Sequence, residues 1–334
     1  MSTGFDHLHG LPNGFFDLKP ASIRRLFPQP TLIQLDGENP RPLFIKILLH
    51  GNEHTGLTVM QRLLRQHGHQ LPRSILLFVG NVRAAEVNRR LLPDQEDYNR
   101  CWPGTPHGPS ATTVMMQQIF ERVRALQPFA AVDLHNNTGR NPHYACITDT
   151  RLQNRFLAAR FNRVAMVIRR QGISTMAFDG ICPAVTLECG MPGNPSGIDA
   201  ACQFIEDLLS MEYIADTEPT HEALQLVSSK AMLTIPDKVS FAFDPTADAD
   251  LRFESNFEDR NFTPFSPDEV FGYTRVAAPL KITDDQGQDI TKAIIRIEAE
   301  RIYLNQSAMP AMITSNQEVV RQDCLCYLLQ DYPG

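Results

Sequence analysis

The residues with the clearest potential for chemistry are a histidine and a carboxylate that follow an apolar run. His50 and Glu53 come directly after residues 43–49, and Gly51 between them permits a tight turn. An imidazole and a carboxylate brought together by a turn suit a catalytic zinc site, in which three protein ligands leave one position for water. The motif therefore favours a metal centre whose third ligand comes from elsewhere in the chain.

Two other interpretations of this motif stay open. His50, Glu53 and His54 also match the inverted zinc-protease pattern H-x-x-E-H, which requires a helix so that both histidines share a face. Here the first histidine closes a predicted strand, and Gly51 and Gly56 flank the turn, which argues against a helix. The remaining alternative is an ordinary loop between a strand and a helix.

The third ligand is expected at the end of another strand. Residues 129–134 form an apolar run that finishes in Asp133-Leu134-His135. Because alternate residues of a strand point to the same face, Asp133 can lie beside His135 or His50 and orient a metal-binding imidazole. The alternative is a histidine that is hydrogen-bonded rather than metal-bound.

A further carboxylate, Glu188, ends the apolar run 183–187. Burying a carboxylate at such a position is unfavourable unless the group is paired or used. Beside a metal-activated water it would act as a general base.

A polar loop after residues 74–80 contains Arg89, Arg90, Asn99 and Arg100, together with the only tryptophan of the sequence. A guanidinium and an amide in one loop can form a fork that binds a carboxylate. We therefore expect Asn99 and Arg100 to bind a small-molecule substrate with a free carboxylate. Surface arginines beside a core tryptophan are the alternative.

The elements that position these residues alternate between strands and helices. Short apolar runs rich in branched residues predict buried strands at 43–49, 74–80, 129–134, 163–168 and 183–187. Helical patterns lie between them at 56–68, 111–126, 150–161 and 194–214. This order predicts an α/β domain over 1–218, with a mostly parallel sheet covered by helices on both faces. Residues 219–334 contain β-like runs such as 231–235, 279–283, 293–298 and 301–304, which predict a smaller β-rich domain.

Composition excludes several classes of function. The net charge of −7 argues against nucleic acid as a partner, since phosphate binding needs a basic surface. No apolar run approaches the ~18 residues of a membrane span, and the N-terminus lacks the pattern of a signal peptide. Seven scattered cysteines do not form a disulfide framework, which favours a cytoplasmic location. A homo-oligomer is possible.

These residues together resemble the zinc carboxypeptidase superfamily, in particular its succinylglutamate desuccinylase/aspartoacylase branch. The resemblance extends over residues 44–190. The segments that match, in family order, are His50-Gly-Asn-Glu53 with Gly56, Asn81-x-Arg83-Ala84, Asn99-Arg100, Asp133-Leu-His135-Asn136 and Glu188-x-Gly190.

The resemblance implies one Zn²⁺ per chain and a role for each matching residue. By that resemblance His50, Glu53 and His135 are the zinc ligands, and Glu188 is the catalytic carboxylate. Asn99, Arg100 and Asn136 would bind substrate, and an arginine upstream would polarise the scissile carbonyl. The family spacing places that arginine at Arg90, with Arg89 as the alternative.

The resemblance also implies a zinc-dependent deacylase that cleaves the amide bond of an N-acyl amino acid. A metallocarboxypeptidase or cell-wall peptide amidase, and an inactive carboxypeptidase-like binding module, are the alternatives. Aspartoacylase has a further substrate-binding arginine about ten residues before the catalytic glutamate, where this chain has Phe178. This difference favours an amino-acid side chain less acidic than aspartate, unless Arg140, Arg169 or Arg170 takes over that contact.

Overall fold

The computed structural model describes residues 4–68, 70–168, 171–220 and 222–332. The chain divides into two compact units. The first comprises the chain up to Asn136 together with His143–Gln225, and the second consists of Asn137–Pro142 and the chain from Leu226 onward. The boundary at residues 218 and 219 stays a prediction, and no sequence pattern indicates that a short segment after His135 joins the second unit.

The first unit contains eight strands and five α-helices among the residues described. Its strands are β1 (Asp6–His9), β2 (Thr31–Leu35), β3 (Asn39–Ile47), β4 (Arg73–Val79), β5 (Ala130–His135), β6 (Tyr144–Ile147), β7 (Val164–Val167) and β8 (Ala184–Glu188). Its helices are α1 (Thr55–His67), α2 (Val82–Glu86), α3 (Ala111–Ala125), α4 (Leu152–Phe161) and α5 (Pro195–Ser210). Short 3-10 turns occur at Phe15–Asp17, Pro20–Arg25 and Met176–Phe178.

The eight strands form one sheet in the order β1-β2-β4-β3-β5-β8-β6-β7. Pairing is parallel except between β2 and β4 and between β6 and β8. The predicted α/β fold with a mostly parallel sheet is therefore confirmed. The central strands β3, β5 and β8 are adjacent and parallel, so their carboxyl ends meet at one edge.

Helices pack on both faces of this sheet. Phe44 and Ile47 lie on opposite faces of β3, because side chains alternate along a strand. On the Phe44 face, Met116 and Ile119 of α3 join the aromatic core. On the other face, α1 approaches so closely that a Cβ at Gly56 would lie 2.7 Å from Cγ2 of Ile47.

The second unit is rich in β-structure. Its strands are β9 (Gln225–Thr234), β10 (Phe241–Ala242), β11 (Leu251–Arg252), β12 (Val270–Thr274), β13 (Lys281–Thr283), β14 (Ile295–Glu298), β15 (Arg301–Leu304), β16 (Met309–Ala311) and β17 (Cys326–Asp331). Short helices α6 (Thr291–Ile294) and α7 (Gln317–Gln322) and a 3-10 turn at Phe257–Arg260 interrupt them. β9 pairs with β13 and β17, β17 pairs with β16, and β10-β11-β12-β15-β14 form a separate sheet.

The segment Asn137–Pro142 is bound within this second unit. Oδ1 of Asn141 accepts a hydrogen bond of 2.9 Å from the backbone N–H of Met312. Gly139 approaches Ile313 so closely that a Cβ would lie 1.9 Å from its carbonyl oxygen. Only glycine fits at this crossing. No helix within the described ranges is both long and apolar enough to cross a membrane.

Candidate active site

The polar residues of the site lie at the ends of three neighbouring strands. His50 follows β3, His135 is the last residue of β5, and Glu188 is the last residue of β8. His135 and Glu188 are register partners across the β5–β8 pair. Ligands of open α/β sheets bind at this edge, beyond the carboxyl ends of the strands.

Two imidazoles converge on one carboxylate at this edge. Nδ1 of His50 lies 2.8 Å from Oε1 of Glu53, and Nδ1 of His135 lies 2.7 Å from Oε2 of the same group. One ligand atom from each of the three residues falls within 4.8 Å of the others, and all three residues are buried. The cluster could therefore hold a metal ion.

The hydrogen bonds of His50 test whether a cation fits. Its Nε2 lies 3.0 Å from Oδ1 of Asp97. Because an ionised carboxylate can only accept, this bond places the proton of a neutral imidazole on Nε2 and leaves the lone pair of Nδ1 facing Glu53. Two acceptors then face each other, which is favourable only with a proton or a metal cation between them. The donor set suits zinc or a similar divalent ion.

The electrostatics of the cluster also favour positive charge. Burial lowers the pKa of His50, but the carboxylates of Glu53 and Asp97 outweigh this effect and raise it to about 9. Burial alone would raise the pKa of Glu53, yet the two imidazoles hold it far below its usual range. The carboxylates around His50 thus favour positive charge, and Glu53 is kept in the ionised form in which a carboxylate binds a metal.

Glu188 lies in a different environment from Glu53. Burial has the largest effect on the pKa of Glu188 and raises it to about 7, although the nearby imidazole of His135 acts in the opposite direction. A carboxyl group with this pKa can both accept and release a proton near neutral pH.

The two candidate arginines are placed differently. Nη1 of Arg90 lies 3.4 Å from Oε1 of Glu53, its Nη2 lies 3.5 Å from Oδ2 of Asp97, and its side chain is largely buried. Arg89 is exposed. The position of Arg90 is held through its backbone, because its carbonyl accepts a 3.0 Å hydrogen bond from Gly51. A Cβ at Gly51 would lie 2.2 Å from the backbone nitrogen of Ala85, so the turn needs glycine.

Asp97 was not singled out by the sequence, although it lies in the polar loop that was. The structure also differs from the expectation for Asp133. Its carboxylate pairs with Lys46 Nζ at 2.5 Å and accepts a 3.2 Å hydrogen bond from Thr175. The second carboxylate that contacts the imidazole of His50, in addition to Glu53, is that of Asp97. The register explains this outcome, since Asp133 lies directly opposite Lys46 on β3.

Asn136, which we expect to bind substrate, has hydrogen bonds within the protein. Its amide nitrogen donates to Oγ1 of Thr55 at 2.9 Å and to the carbonyl of Gly190 at 2.7 Å. Its Oδ1 accepts from the backbone N–H of Thr55 at 3.1 Å, and its own N–H donates to Glu53 at 3.2 Å. Both amide hydrogens are therefore used inside the protein, and the residue holds α1, β5 and the exit of β8 together.

Asn99 and Arg100 lie in the substrate loop, which we define as residues 97–105. Oδ1 of Asn99 accepts a 3.3 Å hydrogen bond from the backbone N–H of Ser174. The backbone N–H of Arg100 donates to the carbonyl of Asp97 at 2.8 Å. Through Asp97, the loop thus connects the His50–Glu53–His135 cluster with the expected carboxylate-binding pair.

Phe178 is fully buried in the aromatic core beside Phe44, Trp102 and Phe120. This position therefore presents its side chain to the core. Arg140 belongs to the second unit and pairs there with Asp259 at 3.0 Å. Arg169 and Arg170 lie outside the described residues.

The fold and the site define an α/β protein with a candidate metal centre at the carboxyl edge of its sheet. Residues 43–190 match the family model of the succinylglutamate desuccinylase/aspartoacylase catalytic domain. That stretch contains every candidate residue described above. Residues 43–190 of this chain are therefore similar to that catalytic domain, which confirms the resemblance seen in the sequence.

Solved structures share the fold over most of the chain. A succinylglutamate desuccinylase from Vibrio parahaemolyticus is 15% identical with a TM-score of 0.60, covering 90% of this chain and 86% of that one. A succinylglutamate desuccinylase/aspartoacylase from Rhodobacter sphaeroides is 15% identical with a TM-score of 0.60, covering 91% and 89%. Murine aminoacylase 3 is 16% identical with a TM-score of 0.51, covering 88% and 96%. No curated protein sequence matches the chain.

Proposed function

We propose that this protein is a zinc-dependent, carboxypeptidase-like amidohydrolase that cleaves an N-acyl amino acid into a carboxylic acid and a free amino acid. The observation that carries the proposal is the buried His50–Glu53–His135 cluster beside Glu188, within a family catalytic domain. The acylated amino acids named for its structural relatives support this substrate class.

His50, Glu53 and His135 would hold the metal. A zinc ion there supplies Lewis acidity that polarises the scissile carbonyl and lowers the pKa of water to about 7. Asp97 orients His50 through the hydrogen bond to Nε2. The backbone N–H of Asn136 orients Glu53 from the other side.

Glu188 moves the proton in this proposal. Its carboxylate takes a proton from the attacking water and delivers it to the nitrogen of the leaving amine, so the amide C–N bond breaks as the amine becomes neutral. Arg90 donates to the oxyanion that develops at the carbonyl oxygen. Asn99 and Arg100 bind the carboxylate of the amino-acid part and fix the amide beside Glu188.

A turnover screen of the zinc-loaded protein tests this function. The substrates are N-acetyl and N-succinyl amino acids, matched amides with a blocked carboxylate, short peptides and cell-wall peptides. We expect cleavage of free N-acyl amino acids, and a loss of about 10²–10⁴-fold in kcat for Glu188→Gln with zinc content unchanged. Arg90→Ala should lose about 10²–10³-fold, and its exposed neighbour Arg89→Ala provides the matched control.

Three outcomes would contradict the proposal. Cleavage confined to peptides would favour a peptidase or cell-wall peptide amidase instead. Equal cleavage of the blocked amides would remove the role of Asn99 and Arg100. Equal zinc content in the wild type and His50→Ala would remove the metal assignment.

A further inference from the structure

A lysine is fully buried in the sheet directly below the candidate active site. Lys46 is the penultimate residue of β3, and its side chain is inaccessible to solvent. A buried ammonium is unfavourable unless it is paired, because it loses its hydration. The residue takes no part in the chemistry proposed above, so its retention in the core needs a reason.

The strand register shows where this charge lies relative to the site. Lys46 is the register partner of Asp133, and Asp133 is the partner of Thr186 on β8. Two residues further along, on the same face, His135 faces Glu188. The polar row formed by Lys46, Asp133 and Thr186 is therefore the layer immediately below the row that carries His135 and Glu188.

Aromatic rings enclose the ammonium. Nζ of Lys46 lies 4.6 Å from the ring centroid of Phe178, 5.1 Å from that of Trp102 and 5.2 Å from that of Phe44. Ammonium groups within about 6 Å of aromatic rings are attracted to their faces, more strongly where water is excluded. Lys46 thus contacts a carboxylate and three rings at once.

One of these rings belongs to the substrate loop. Nε1 of Trp102 donates to the carbonyl of Tyr98 at 2.9 Å, and the backbone N–H of Trp102 donates to Gly172 at 3.2 Å. Asn99 and Arg100 lie between Tyr98 and Trp102, so the position of the indole fixes both ends of the segment that carries them. A second connection runs from Asp133 through Thr175 to its neighbour Ser174, whose N–H binds Asn99.

We propose that Lys46 is a positioning residue, whose ion pair with Asp133 and aromatic enclosure hold the substrate loop so that Asn99 and Arg100 can bind the substrate carboxylate. The role in substrate binding rests on the proposed function. The role in holding the loop does not, and the two can be tested separately.

The loop is tested by the fluorescence of Trp102, the only tryptophan of the chain. Trp102 is fully buried, so acrylamide should quench it weakly in the wild type. We expect stronger quenching in Lys46→Met and in the double variant Lys46→Met/Asp133→Asn. Only the double variant leaves no unpaired buried charge behind. Lys46→Arg, which keeps the positive charge, should restore part of the protection.

Substrate binding is tested by steady-state kinetics with the zinc-loaded variants and the best N-acyl amino acid from the screen. We expect KM to rise roughly 10- to 100-fold in both methionine variants, with kcat and zinc content close to those of the wild type.

Arg73→Met is the matched control. Arg73 is also buried, and its Cζ lies 3.7 Å from the ring centroid of Phe129. Unlike Lys46, however, it lies at the amino end of its strand, β4. Its loss should lower thermal stability without changing KM or the quenching of Trp102.

Each result decides the inference. Wild-type quenching in the double variant would overturn the role of Lys46 in holding the loop, even if the single variant did not fold. Stronger quenching with an unchanged KM would overturn its role in substrate binding. If the wild type cleaved no N-acyl amino acid, the proposed function would fail, and the quenching series would still decide whether Lys46 holds the loop.

Discussion

At the scale of single residues, the site separates two carboxylates by their surroundings. Glu53 lies between two imidazoles that stabilise its ionised form, and Glu188 is half-buried in surroundings whose desolvation favours its neutral form. The same functional group can therefore serve as a metal ligand in one place and as a proton carrier in the other. Asp97 adds a third role, since it holds the imidazole of His50.

Replacing Asp97 tests this third role. Asp97→Asn removes the charge that stabilises the Nε2 proton of His50, so we expect metal affinity to fall about 10- to 100-fold. A titration with a competing chelator measures the affinity. Asp94→Asn is the control, because Asp94 lies on the same loop but pairs with the exposed Arg83. Equal affinities in the two variants would show that Asp97 does not support the ligand.

At the scale of elements, the site depends on how a residue at the end of β5 holds a neighbouring helix and a neighbouring strand. Asn136 follows β5, satisfies a free N–H at the start of α1, and binds the carbonyl of Gly190 just after β8. His54, the N-cap residue of α1, provides no side-chain cap. The amide of Asn136 supplies that cap from a distant part of the chain.

Substituting Asn136 distinguishes a positioning role from substrate binding. Asn136→Ala leaves buried partners unsatisfied on Thr55 and Gly190, and we expect a loss of roughly 1–3 kcal/mol in the free energy of unfolding. Urea denaturation measures this loss. If the residue instead bound substrate directly, stability would change little and KM alone would rise.

The sequence was most informative where apolar runs ended in polar residues. The runs that became β3, β5 and β8 led to His50, His135 and Glu188, because a buried parallel strand is visible as a continuous apolar segment. The partners of Asp133 and Asn136 were not predictable in this way. They depend on strand register and on loops distant in sequence, which local patterns do not specify. Lys46 was a visible exception, a single charge within an apolar run.

At the scale of the whole molecule, the two units are not consecutive in the chain. The first unit is interrupted by Asn137–Pro142, which belongs to the second. The family match over residues 43–190 includes this segment.

A substitution in this segment tests its place in the second unit. In Gly139→Ala the added methyl group would meet the carbonyl of Ile313. Such overpacking costs typically about 1–3 kcal/mol, so we expect the midpoint of thermal unfolding to fall. Gly108→Ala is the control, because a Cβ there meets no atom within 4 Å. Equal midpoints would contradict the close packing at residue 139.

The interruption also sets an order of events during synthesis. Asn141 leaves the ribosome 171 residues before Met312, the residue to which it is hydrogen-bonded. At about 5–20 residues per second this separation corresponds to roughly 10–30 s. During that interval the chain that follows His135 has not yet met its partners in the second unit. The sequence that matches the family model is thus made early, but the segment that follows β5 can reach its final place only after Met312 has been made.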